Sequence, residues 1–109
     1  MREIKFRTWD KKRNMMSDGL NMPRMFMEEG GISGYLNEEE MPVMQYTGYK
    51  DKNGKEVYES DLFTIYGKDW EIYWEDELAG WYRRNNEGSM HAFYKNHANE
   101  GEIIGNIYE

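Results

Sequence analysis

Hydrophobic and polar positions alternate with a period of two along much of the chain, the signature of strands half-buried on one face. The clearest case is residues 70–75, where Trp70, Ile72 and Trp74 interleave with Glu71, Tyr73 and Glu75. That alternation assigns both tryptophans to the core and leaves Tyr73 exposed on the opposite face. The first strand covers residues 3–9, with Ile4, Phe6 and Thr8 facing one way and Lys5, Arg7 and Trp9 the other. Asp10 to Asn14 turns the chain, and Met15 and Met16 return it as an N-terminal hairpin. Further strands are expected at 43–50, 62–66, 81–84 and 102–108, with turns at 67–69 and 85–88 and a loop at 76–80. Residues 90–97 fit a strand or a helical turn equally. The variable stretch 17–42 is punctuated by Gly19, Pro23, Gly30, Gly31, Gly34 and Pro42, and reads as a loop with at most one short helix. Short strands, frequent turns and little helix predict one mainly β domain over residues 1–109, a small barrel or sandwich with an added N-terminal hairpin and at most one or two short helices.

Residues 44–62, MQYTGYKDKNGKEVYESDL, carry the strongest turn signal, at Asn53-Gly54. A two-residue loop would set Asp51 against Glu56 and Lys52 against Lys55, both like-charged. A three-residue loop, Lys52-Asn53-Gly54, instead faces Asp51 with Lys55, Lys50 with Glu56 and Tyr49 with Val57. This register is the expected one, with Asp51 and Asn53 as turn residues and Gly54 in the left-handed position of a bulge. Tyr46, Thr47 and Gly48 are left over, because the turn does not require them. They become candidates for a protein contact, together with Tyr73.

Composition narrows the function. The net charge is −7, which opposes nucleic acid, whose binding rests on phosphate neutralisation. The charge is uneven: through Arg24 the balance is +4, and from Met25 onward it is −11. A nucleic-acid contact would therefore use Lys5, Arg7, Lys11, Lys12 and Arg13, although basic residues on an edge strand also guard against aggregation. Glu38-Glu39-Glu40 reads as a solvated acidic run. Cysteine is absent, which fits a reducing cytosol, and no signal peptide or membrane-length apolar run is visible. A cytoplasmic location in a bacterial host is the expectation.

No pattern points to catalysis, a metal or another cofactor. His91 and His97 have no ligand spacing and no cysteine to join them. Asp10 and Asp51 suit turns, Glu75-Asp76-Glu77 suits a surface loop, and neither these nor Asp61 converge on a site in sequence. Gly-x-Ser-x-Gly is missing, and Gly30-Gly31 with Gly34 lacks the Lys-Ser/Thr of a phosphate loop. The aromatics Trp70, Trp74, Trp81, Tyr73 and Tyr82 would suit a stacking platform, but the alternation gives the tryptophans of residues 70–75 to the core.

MREIKFRTWDKKRNMM at the start, the 44–62 segment, and EIIGNIYE at the end resemble the YopX family, small proteins of phages and prophages in Gram-positive bacteria. These segments make up about 40% of the chain. Glu59-Ser60-Asp61 stands where the family usually has Glu-Gly-Asp, which puts in question any turn there needing positive φ. Residues 17–42 and 85–100 align with nothing, and the chain stops a few residues short of common members. The resemblance implies a β-rich domain related to SH3-like barrels, with the N-terminal segment added, and no assigned activity. The reading that follows is a non-enzymatic module that binds an unknown protein partner or forms a homo-oligomer, without membrane contact. A nucleic-acid-associated accessory role is the alternative.

Overall fold

The computed structural model describes residues 4–11, 13–17 and 42–109; residues 18–41 of the loop expected at 17–42, with its acidic run, and Lys12 lie outside them. Two antiparallel sheets and one short helix make up the described residues. The first sheet has the order β2-β1-β3-β4, from β1 (Phe6–Asp10), β2 (Met15–Ser17), β3 (Val43–Lys50) and β4 (Glu56–Tyr58). The second has the order β8-β7-β6-β5-β9, from β5 (Asp61–Ile65), β6 (Lys68–Glu75), β7 (Gly80–Arg84), β8 (Met90–Ala92) and β9 (Glu102–Asn106). Helix α1 (Lys95–Glu100) joins β8 to β9. The mainly β class, the added N-terminal hairpin and the short helix agree with the alternation read from sequence.

Residues 90–97 turn out to be both of their alternatives, a strand and then the start of a helix. The helix is too short to persist alone. It opens with Tyr94 N donating to His97 Nδ1 at 2.9 Å, buries Ala98 and packs against β3. The turn expected at 67–69 is tighter than expected. Tyr66 and Gly67 both have positive φ (56° and 74°), so Ile65 pairs directly with Lys68 and β6 starts there. This is the two-residue turn whose twist matches that of its flanking strands.

The β3–β4 hairpin adopts the bulged register. Gly54 N donates to Asp51 O at 3.0 Å, Gly54 has φ 83°, and Lys50 pairs with Glu56. A second irregularity follows, because Tyr46 pairs with Tyr58 while Lys50 pairs with Glu56. Thr47, Gly48 and Tyr49 therefore lie opposite Val57 alone. Gly48 takes φ 90°, Thr47 Oγ1 donates to Val57 O at 2.8 Å, and Tyr49 N donates to Thr47 Oγ1 at 3.1 Å. The bulge turns Tyr49 toward the second sheet.

Two apolar clusters result. One holds Val57, Phe63, Ile65, Trp70, Ile72, Trp81, Phe93 and Ala98, with Tyr49, Trp74 and Ile103 packed against it. The other holds Trp9, Met44, Tyr46 and Tyr58, with Met16 and Tyr108 against it. Strand β4 serves both, giving Val57 to the first and Tyr58 to the second. Hydrogen bonds from Lys52 N to Gly101 O (2.9 Å) and from Ile103 N to Asp51 Oδ2 (3.1 Å) tie the hairpin tip to the second sheet.

Candidate functional site

Each sheet ends in a strand with one unpaired edge, β4 in the first and β9 in the second. Between these edges lies an open cleft of about 720 Å³, larger than the others described at about 340 and 360 Å³. Trp9 and Arg7 reach it from β1, Glu56 and Tyr58 from β4, Asp61 from β5, and Ile103, Ile104 and Asn106 from β9.

The alternation of β1 sets Arg7 and Trp9 on the same face, over β4. The Arg7 guanidinium lies 4.1 Å from the Tyr58 ring centre, and its Nη2 donates to Asp61 Oδ1. Asp61 is 1% exposed, and its Oδ2 accepts from Tyr58 N at 2.7 Å. Burial pushes the Asp61 carboxyl up to about 7, outweighing the opposite pull of Arg7 and of the Tyr58 amide. Burial first, and then the Glu56 carboxylate, push the Tyr58 phenol up to about 12, so it stays neutral. Two buried donors in the cleft wall, Arg7 Nε and Trp9 Nε1, have no hydrogen-bond partner. On the far wall, Ile104 is 49% exposed.

Two carboxylates also quiet the strand edges. Asp61 takes the outward amide of Tyr58 on β4, and Asp51 takes that of Ile103 on β9. The cleft thus offers an apolar wall, partly capped strand edges and hydrogen-bond donors, an arrangement suited to holding a chain.

The sequence candidates fall differently. Tyr46 is 5% and Thr47 1% exposed, and Gly48 is at the surface; all three are accounted for by the second bulge, so Tyr46 and Thr47 offer no contact face. Tyr73 lies opposite Trp70 and Ile72 as expected but is buried rather than exposed. The Arg84 guanidinium sits 4.1 Å over its ring, and the Tyr82 ring is 6.3 Å away. Trp74 is only half-buried against the core. Asp51 and Asn53 act in the turn: Asp51 Oδ1 accepts from Asn53 N and Lys55 N, both at 2.9 Å.

The described basic N-terminal residues each have a partner within the fold, with Lys11 and Arg13 at the exposed surface. Lys5 pairs with Glu56, Arg7 with Asp61, and Arg13 with Asp10 at 3.8 Å, while Lys11 lies 5.5 Å over the Tyr108 ring. His91 and His97 sit on β8 and α1, where they touch aromatic rings. Among the described residues, no three His, Asp or Glu side chains gather as a metal-holding group. No helix among them is long and apolar enough to cross a membrane.

Ser60 keeps the tight turn despite being a serine, with φ 71°. The alternation implied that Arg7 and Trp9 share a face. Nothing local marked Asp61, whose partner lies 54 residues away.

None of the curated proteins matches the chain. Among solved structures, the crystal structure of protein EF1440 from Enterococcus faecalis is similar, with a TM-score of 0.65 and 20% identity over 99% of this chain and 95% of that one. At that identity the likeness speaks for the fold. The model of the family described as YopX protein matches residues 5–109, including the stretches 17–42 and 85–100 in which no resemblance is visible by motif, and the chain belongs to that family.

Proposed function

We propose that the chain is a non-enzymatic binding module that holds an extended segment of a partner protein in the cleft between β4 and β9. The observation that carries this reading is the cleft's position between two strand edges. Edge backbone groups pair with extended chain, and the Trp9, Met16 and Ile104 walls take alternate side chains. The net charge of −7 makes a second copy a poor occupant and favours a segment carrying Lys or Arg among apolar residues. The ion pairs of Lys5 and Arg7 within the fold and the net charge speak for a protein partner over the nucleic-acid alternative, for which Lys11 and Arg13 stay exposed. A phage or prophage origin and a bacterial cytoplasmic location belong to the same proposal, supported by family membership and a cysteine-free sequence.

Selection of displayed peptides on the full chain tests the reading. The selected peptides are expected to be extended and basic-apolar, and to protect from exchange those outward β4 and β9 amides that Asp61 and Asp51 do not already hold. Ile104→Lys, at a half-exposed position, should weaken them about tenfold or more. Equal binding by Ile104→Lys, or a dimer formed through this cleft in sedimentation, would overturn it.

A further inference from the structure

Arg83 stands apart from the cleft and has no partner of opposite charge among the described residues. It is 7% exposed, on the core side of β7, opposite Ile72 of β6 and His91 of β8. Its Nη1 donates to Ala92 O at 2.5 Å, and its Nε is buried without a partner. Its nearest side-chain contacts are aromatic rings. The Trp70 ring centre is 5.0 Å away and that of Tyr66 5.9 Å. His91 meets Trp70 edge-on at 5.7 Å, and His97 meets Tyr66 edge-on at 6.5 Å while stacking on Tyr94 at 5.6 Å. Glu100, the carboxylate of this rim, accepts the Tyr66 hydroxyl at 2.8 Å instead. Burial and the charge of Arg83 hold the His97 imidazole below its ordinary range.

A guanidinium taken out of water without a counter-charge is costly, and ring contacts offset only part of that cost. An anion at the rim would supply the missing charge. The rim is also open, since Tyr66 is 63% and Tyr94 58% exposed.

We infer that the rim formed by Arg83, His91 and His97, between the Tyr66 and Tyr94 rings, is a binding site for a phosphate monoester. The guanidinium provides the charge and a hydrogen-bond donor, which matches phosphate oxygens. The exposed Tyr66 ring beside the guanidinium suits a flat group carrying that phosphate. The site is independent of the cleft and of the function proposed for it.

The test is an NMR titration of the full chain with inorganic phosphate, phosphoserine and adenosine monophosphate, each against chloride at matched ionic strength. The Arg83 Nε–H and the His91 and His97 imidazoles are followed. Saturable shifts at Arg83 and His97 are expected, with the His97 titration midpoint rising as the dianion binds. Tyr66, His91 and Glu100 are titrated alongside as the other ionisable groups of the rim. Adenosine monophosphate should bind tightest, and tightest binding by phosphoserine would equally support the phosphate site while making the carrier a phosphorylated chain. Arg83→Met should lower affinity by about tenfold or more. If that variant loses its native spectrum, the wild-type Arg83 Nε–H response decides. No saturable change with any of the three ligands, or undiminished affinity in a folded Arg83→Met protein, overturns the inference.

Discussion

Ser60 and Gly101 stand at two positions that favour glycine for different reasons, and only one of them has it. Ser60 holds φ 71° between the two sheets, with its amide donating to Ile72 O at 2.7 Å and its carbonyl accepting from Ile107 N at 3.0 Å. The left-handed conformation costs a side-chain-bearing residue about 1–2 kcal/mol, and the greater freedom of unfolded glycine gives back about half of that. Ser60→Gly is therefore expected to stabilise the domain by about 0.5–1 kcal/mol, read as a rise of a few degrees in Tm. Gly101 is constrained by contact rather than by φ. It has extended backbone at φ −118°, but a Cβ there would run into the Phe63 ring and the Thr64 carbonyl. Gly101→Ala should destabilise by about 1–3 kcal/mol in a denaturant titration, because neither neighbour can withdraw. Sequence alone makes Ser60 a doubtful turn residue and gives Gly101 no special part. The role of each depends on which strands come to lie beside it, and neighbouring residues in the chain do not carry that information.

Among the elements, the same turn recurs. In Asp51-Lys52-Asn53-Gly54-Lys55 and in Asn85-Asn86-Glu87-Gly88-Ser89, the first side chain accepts the amides two and four residues on, and the glycine has positive φ. The difference is the second oxygen of Asp51, which reaches Ile103 N on β9. Asp51→Ala should cost about 3 kcal/mol, against about 1 kcal/mol for Asn85→Ala, in parallel thermal melts. Equal costs would mean that the link to β9 is energetically idle. The hairpin also marks where sequence reasoning stops. Charge pairing across four residues suffices to choose the register at Gly54. The second bulge escapes it because Thr47 and Gly48 take their roles from Val57, across the strand pair. Alternation likewise assigns Tyr73 to the correct face of β6, but its burial depends on Arg84 and Tyr82 being opposite in β7. Of the cleft, one wall is legible, in the shared face of Arg7 and Trp9. The far wall, from β9, depends on how the two sheets meet.

For the whole molecule, the Arg7–Asp61 pair joins the first sheet to the second and sets a pH dependence. The folded pKa of Asp61 is raised to about 7 from 3.8, so the folded protein holds its proton more tightly than the unfolded chain. Its contribution to stability is fully present below about pH 4 and is lost as pH rises toward 7. The stability of wild type minus that of Asp61→Asn should fall on the order of 4 kcal/mol across that window, measured by denaturant titration at each pH. A difference that rises instead would mean that Arg7 and the Tyr58 amide outweigh burial.

Strand β4 contributes only Glu56, Val57 and Tyr58, yet its two buried side chains enter different cores. Neither sheet can be detached without opening the other. A chain divided at the exposed tip around Gly54 would leave the first fragment without the strand that covers Tyr46, and the second with Val57 and Tyr58 facing water. Such fragments are expected to remain unfolded apart and to regain structure only when mixed. That makes the tip a natural position for a split reporter whose signal requires reassembly of the whole domain.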